Sequence, residues 1–265
     1  MREGPRHKSL LRLAGRTLSA LFLTEGRCPA CGRVAESAEE AGEGGPGASA
    51  LCRACRMLDE RREAVDCGAP CPGCGEYPSA PQAQPLLCGR CRAQPRPWGR
   101  VLVHGPYDAE LRDMILAYKF EHRLDLGRRL MEYALEAFEC GVAAFPEVAA
   151  CQGIVPVPLH TRRLLSRGFN QSRELARLLS ARRGLPIWQN ALTRVRRTVP
   201  QVELAREARA ENIRGAFAAD ERILAGRSVL LVDDIMTTGS TLEECARAML
   251  AAGALRVDVL VLARA

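Results

Sequence analysis

From about residue 98 onward the chain alternates short apolar runs with amphipathic stretches. Val101 to Tyr107 reads as a strand, and Asp108 to Lys119 as a helix with Leu111, Ile115 and Tyr118 on one face. Asp125 to Cys140 predicts a second helix. Gly153 to Leu159 (GIVPVPL) is an apolar strand that ends in a proline-stiffened loop. Phe169 to Arg183 is an amphipathic helix stopped by Gly184, and Ala191 to Val195 is a candidate short strand. Thr198 to Gly215 is polar, charged and rich in helix formers. Ser228 to Val232 (SVLLV) has the composition of a buried strand. Gly239 to Ala252 reads as a helix stopped by Gly253, and Arg256 to Ala263 as a closing strand. Apolar, β-branched strands alternating with helices predict an α/β fold with a parallel sheet.

The first 97 residues follow another rule. They carry little periodic hydrophobicity and many Gly and Pro. Glu36 to Ala50 reads as a flexible loop, as does the shorter Tyr77 to Pro85. Leu10 to Leu23 is a short amphipathic helix rather than a signal peptide, because Arg12 and Arg16 interrupt what would be its apolar stretch. A chain of 265 residues fits one or two domains. No run approaches the roughly 18–20 apolar residues of a membrane span.

Cysteine changes this picture most. Nine of the twelve cysteines fall between Cys28 and Cys91, and eight of those form four C-x-x-C pairs. The first cluster is Cys28 and Cys31, then Cys52 and Cys55 after 20 residues; the second is Cys71 and Cys74, then Cys88 and Cys91 after 13 residues. Without a secretion signal, a reducing cytoplasm is the expected compartment, and there such pairs bind metal more often than they form disulfides. Two thiolates separated by two residues converge on one ion from a tight turn, and four complete a tetrahedral zinc shell. The glycine after Cys31 and after Cys74 suits such a knuckle. Four sulfur ligands leave no open position, so the zinc is structural and supplies folding energy to a segment short of core. An iron–sulfur cluster or a redox dithiol is the alternative, and the two clusters could each close on themselves or interleave. Cys67 reads as an unligated thiol, and Cys140, Cys151 and Cys245 as small buried hydrophobes. The expected organisation is an N-terminal helix over 1–24, a cysteine-rich zinc-binding region over 25–97 and the sheet domain over 98–265.

The formal net charge is +7 and almost wholly arginine, since Lys8 and Lys119 are the only lysines. Arginine's planar fork suits phosphate, although an excess of this size also occurs on proteins that bind nothing anionic.

Val229 to Leu242 (VLLVDDIMTTGSTL) carries the most chemistry. An apolar strand ends in Asp233 and Asp234; a small polar loop of Thr237, Thr238, Gly239, Ser240 and Thr241 follows, and then a helix begins. Open parallel sheets bind ligands outside the carboxyl ends of their strands, and a helix N-terminus with hydroxyls is a ready anion site. Paired carboxylates repel phosphate but accept hydrogen bonds from sugar hydroxyls. The combination points to a sugar phosphate. An ordinary capped helix start accounts for any one of these residues but not for the arrangement.

This stretch closely resembles the 5-phosphoribosyl-1-pyrophosphate motif of type I phosphoribosyltransferases. The resemblance implies that Asp233 and Asp234 hold the ribose and that Thr237, Thr238, Gly239, Ser240 and Thr241 hold the 5-phosphate. Mg2+ would be bound mainly by the ligand's own hydroxyls and pyrophosphate. Further segments are similar to the ComF family: Val155 to His160, Arg162, Arg163, Arg167 to Gln171, Gln201, Arg209, Asn212, Gly215 to Phe217, and Tyr118-Lys119-Phe120. That family carries an N-terminal double zinc ribbon on a type I phosphoribosyltransferase-like domain. The similarity spans roughly residues 10 to 263; the Glu36 to Ala50 insert and Cys67 depart from it.

Beside such a site, Arg162, Arg163 and Arg167 would flank a pyrophosphate pocket, and a solvated basic face is their plain alternative. Asn170 and Gln171 are candidate caps for the helix that follows, while His160 fits a structural role as well as a functional one. Thr198 to Gly215 sits where type I enzymes have a mobile hood, so Gln201, Arg209 and Asn212 would close over substrate.

Two functions fit. One is a phosphoribosyltransferase acting on an unnamed acceptor, with Arg162, Arg163, Arg167 and Arg209 as candidate catalytic residues. The other is a non-catalytic ligand-sensing module whose ribbons contact single-stranded DNA or a protein. The family resemblance implies DNA uptake or processing with a helicase-like competence partner.

Overall fold

A computed structural model describes residues 69–80, 84–121, 123, 126–159, 164–165, 168–196 and 211–265. The expected helix over Leu10 to Leu23, the Glu36 to Ala50 loop, the first cysteine cluster and Cys67 lie outside the described residues. Arg62–Ala265 form one compact unit.

Four strands make a parallel sheet: β1 (Val101–Pro106), β2 (Gly153–Pro156), β5 (Ser228–Met236) and β6 (Arg256–Arg264), in the order β1-β6-β5-β2. The short β3 (Leu192–Arg194) and β4 (Phe217–Ala219) pair antiparallel beside it. The helices are α1 (Gly89–Ala93), α2 (Ala109–Phe120), α3 (Leu126–Ala144), α4 (Gln171–Arg183), α5 (Glu221–Leu224) and α6 (Ser240–Ala251). A 3-10 turn at Pro146–Ala150 leads into β2.

The helices cover both faces, and β5 shows why. Val229 and Leu231 enter one core with Leu242, Cys245, Ala246 and Met249 of α6. Leu230 and Val232 enter the other with Leu111 and Ile115 of α2, Leu130 and Phe138 of α3, and Leu175 and Leu179 of α4. Strand side chains alternate between faces, so a strand apolar at every position must be buried on both sides. The first core also holds Cys71, Cys74, Cys91 and Trp98. The second cysteine cluster therefore shares its packing with the sheet and with α6.

Local signals set the helix ends. Asp108 caps α2 by accepting from the Leu111 amide, and Asn170 caps α4 by accepting from the Ser172 amide. Gly184 ends α4 in the left-handed region at φ +68°. Gln171 is the first residue of α4 and lies buried rather than capping it.

The strand carrying the acids runs further than the apolar pattern predicts. β6 pairs with β5 as far as Met236 opposite Arg264, whereas β2 stops at Pro156 opposite Val232. Backbone pairing with β6 carries Asp233 and Asp234 inside the strand. It also leaves β5, past Val232, with one edge uncovered by any described strand. Cys140 is exposed on α3, against the expectation of burial, while Cys151 and Cys245 are buried. The inward face of α3 is made by Leu130, Tyr133, Ala134, Ala137 and Phe138, and Cys140 falls off it.

Candidate sugar-phosphate site and cysteine centre

Asp233 and Asp234 lie in β5 just past the point where its pairing with β2 ends. Ser172 Oγ, on the second residue of α4, donates to Asp233 Oδ1 at 2.8 Å, and the Asp234 amide donates to the same oxygen at 2.9 Å. Lys119 Nζ, from the last turn of α2, lies 2.6 Å from Asp234 Oδ2. Both side chains of that ion pair are largely buried, 12% and 14% exposed. Burial pushes the Asp233 carboxyl up to about 7, and the neighbouring Asp234 charge adds to the shift. The Ser172 hydroxyl, the Asp234 amide and the Lys119 ammonium oppose it.

The loop after β5 turns at Gly239, whose φ of +83° lies in the left-handed region. A side chain there would meet Met236 Cε at 2.8 Å. Thr238 Oγ1 and Ser240 Oγ are 2.9 Å apart, and the Ser240 amide donates to Thr238 Oγ1 at 3.3 Å. Helix α6 opens at Ser240, so its N-terminal end faces the loop. Glu243, in that first turn, would repel an anion, but it is paired with Arg96 and with Arg247. The site thus offers two carboxylates beside a hydroxyl-rich helix N-terminus, an arrangement able to hold a polyol at one end and a phosphate at the other.

The Sγ atoms of Cys71, Cys74, Cys88 and Cys91 all lie within 4.8 Å of one another. Cys74 and Cys88 are 3.7 Å apart, close to the ~3.8 Å edge of a zinc–sulfur tetrahedron with bonds of about 2.3 Å. The Cys88 amide donates to Cys71 Sγ, and the Gly75 amide donates to the Cys71 carbonyl, closing the knuckle at a Gly75 φ of +70°. Burial pushes the Cys74 and Cys91 thiols up. It opposes ionisation at Cys88 too, but hydrogen bonds from the Cys91 amide and the neighbouring thiols bring that group down to about 7. Thiols crowded this closely cannot all ionise without a cation among them, so the donor set fits a four-sulfur ion such as zinc. This cluster needs no ligand from the first, which removes the interleaved arrangement for these four residues.

Of the expected site residues, the structure places Asp233 and Asp234 in β5, Thr237, Thr238 and Gly239 in the loop after it, and Ser240 and Thr241 in the first turn of α6. Arg162, Arg163, Arg167, Arg209, His160 and Gln201 lie outside the described residues, as do Cys28, Cys31, Cys52 and Cys55. Asn212 precedes β4, and its carbonyl accepts from Arg196. Three residues at the site were not singled out from the sequence for these contacts. Lys119 could have been marked by its rarity in an arginine-rich chain, whereas Ser172 and Arg96 carry no such sign.

The phosphoribosyl transferase domain family matches residues 165–265. DNA utilization protein YhgH of Salmonella typhimurium is 35% identical over 219 residues, covering 81% of this chain and 90% of that protein. Competence protein F of Haemophilus influenzae is 32% identical over 196 residues, covering 73% and 85%. Among solved structures, a Bacillus subtilis glutamine phosphoribosylpyrophosphate amidotransferase complexed with ADP and GMP is similar at a TM-score of 0.30 and 20% identity. That likeness covers 43% of this chain and 24% of that one, too little to add to the strand order above. No helix among the described residues is long and apolar enough to cross a membrane. With a phosphoribosyl transferase domain on a parallel sheet, a four-cysteine cluster ahead of it and this identity over most of its length, the chain belongs to the ComF family of DNA utilization and competence proteins.

Proposed function

We propose that the protein binds 5-phosphoribosyl-1-pyrophosphate with magnesium, in service of DNA uptake or processing. The observation that carries this reading is the placing of Asp233 and Asp234 where β2 ends, with the Thr237 to Thr241 loop and the start of α6 directly after them. The two carboxylates accept the ribose hydroxyls, and the loop hydroxyls and α6 amides take the 5-phosphate. Arg162, Arg163 and Arg167 follow β2 in the chain and supply charge for the pyrophosphate, with Arg209 closing from the polar segment. Magnesium would be held mainly by the ligand's own oxygens and would supply charge to offset the pyrophosphate.

If the site turns over, the bond between the anomeric carbon and pyrophosphate breaks, and its electron pair leaves with pyrophosphate. The chain's part is to hold the ribose still and to neutralise the leaving group.

The relatives' names, DNA utilization protein and competence protein, support a DNA-linked role, with single-stranded DNA or a helicase-like protein as partner of the ribbons. Thiols kept as zinc ligands suit a reducing compartment, which supports a cytoplasmic location.

Equilibrium titrations with 5-phosphoribosyl-1-pyrophosphate, ribose 5-phosphate and pyrophosphate, each with and without magnesium, test the reading. Tightest binding of the first ligand, dependent on magnesium, is expected. Equal binding of all three anions would reduce the site to a generic anion pocket.

A further inference from the structure

The penultimate residue, Arg264, joins the two centres. Its Nε donates to the Cys74 carbonyl at 2.8 Å, and its Nη2 pairs with the Glu76 carboxylate at 2.6 Å. Its Nη1 donates to the Thr237 carbonyl at 2.7 Å and reaches the Met236 carbonyl at 3.3 Å. The side chain is 8% exposed. One planar guanidinium thus ties the backbone of a cysteine ligand to the backbone entering the phosphate loop.

Other contacts run the same way. Trp98 Nε1 donates to the Gly73 carbonyl at 2.8 Å, while its ring lies where a side chain on Gly239 would stand 3.5 Å away. The Val101 amide donates to the Pro72 carbonyl. Arg96 lies over the Trp98 ring and pairs with Glu243 in the first turn of α6. Three consecutive knuckle carbonyls, those of Pro72, Gly73 and Cys74, are therefore taken up by the sheet domain.

The consequence follows from peptide geometry. In a trans peptide the carbonyl and the next amide point in opposite directions. With the Thr237 carbonyl held on Arg264, the Thr238 amide is turned away from the knuckle. A flexible loop would have to find that orientation on each encounter with a phosphate, and fixing it beforehand removes an ordering cost from binding.

We propose that Arg264 is a positioning residue for the phosphate loop, and that metal in the Cys71, Cys74, Cys88 and Cys91 site holds the loop in its binding geometry through Arg264. The claim rests on the sugar-phosphate reading for its ligand but not for its mechanics. Zinc at this centre then controls affinity at a site whose ligand it never touches.

The test uses the full chain and two readouts: hydrogen exchange of the 237–241 amides without ligand, and affinity for 5-phosphoribosyl-1-pyrophosphate with magnesium. Arg264→Met, with zinc content retained, is expected to speed loop exchange and weaken the ligand, each by about tenfold. Arg264→Lys should fall between, since it keeps the charge but loses the fork. Glu76→Gln, at an exposed arm of the same contact, is the milder variant should Arg264→Met fold poorly, and should shift exchange in the same direction. Removing the second-site metal by Cys71→Ser/Cys74→Ser should reproduce the faster exchange. Loop exchange unchanged in the Arg264 and Glu76 variants would overturn the proposal. Faster exchange in a protein whose wild type binds no ligand would sink the sugar-phosphate reading and leave the positioning role standing.

Discussion

Lys119 Nζ sits 2.6 Å from Asp234 Oδ2, pairing the end of α2 with the strand that carries the acids. The two are 115 residues apart in sequence (234 − 119). The pair is mostly buried, so removing one partner strands the other charge. Lys119→Met should therefore cost about 3 kcal/mol of stability, with Asp234→Asn on that background recovering much of it. A double-mutant cycle by denaturant unfolding should return a coupling above ~1 kcal/mol. Additive effects would mean that solvent already screens the pair.

Asp233 gives a pH signature. Its ordinary pKa is 3.8, and burial beside Asp234 raises it to about 7 in the folded protein. Between those values the folded state keeps a proton that the unfolded chain has released. Its contribution to stability is therefore complete below about pH 4 and lost as pH rises through 7. Asp233→Asn should remove this loss. The variant's melting temperature should match wild type near pH 4 and exceed it at pH 8, by about 2–4 °C per kcal/mol relieved. Parallel melting curves across that range would contradict the burial of this carboxyl. The same variant should bind ribose ligands worse, because the site keeps an ionisable group where stability alone would favour an amide.

Gly239 turns the loop between β5 and α6. Its φ of +83° costs a side chain about 1–2 kcal/mol, and the added carbon also presses on Met236 Cε. Methionine can yield at its far end, so the backbone conformation dominates the cost. Gly239→Ala should fold, lose roughly that stability and weaken phosphate binding by about tenfold or more. Unfolding curves and ligand titration on the one variant check both effects.

The cysteine centre makes a stoichiometric prediction. Cys71, Cys74, Cys88 and Cys91 lie close enough to share one ion, and the sequence offers Cys28, Cys31, Cys52 and Cys55 as a second set of four. Metal analysis should find about two zinc ions per chain, and Cys71→Ser/Cys74→Ser should lose one of them. Loss of both would mean that the clusters depend on each other. Chelation should lower the melting temperature of the whole domain, because Cys71, Cys74 and Cys91 are part of its core.

Much of this was legible in the sequence, for local reasons. The apolar run Val229 to Val232, the helix start at Asp108, the Asn170 cap and the Gly184 stop are set by neighbours within a few residues. The C-x-x-C pairs announce their chemistry by spacing alone. What stayed hidden depends on distant partners. β5 continues past Val232 because β6 pairs with it there, and no pattern in β5 itself says so. Three-residue strands such as β4 are too short to show a period. Ser172 reaches Asp233 across 61 positions and Arg264 reaches Cys74 across 190. Arg264 falls just past the closing strand that the sequence predicts, and only the packed knuckle turns it into a link between two centres.

The central claim is that the Asp233–Asp234 pair and the loop after it form a sugar-phosphate site. Calorimetric titration of 5-phosphoribosyl-1-pyrophosphate with magnesium, into zinc-loaded wild type and into Asp233→Asn/Asp234→Asn, tests it most directly. The account predicts saturable, magnesium-dependent binding to wild type and none to the variant. Equal binding to both proteins, or none to a folded wild type, would contradict it.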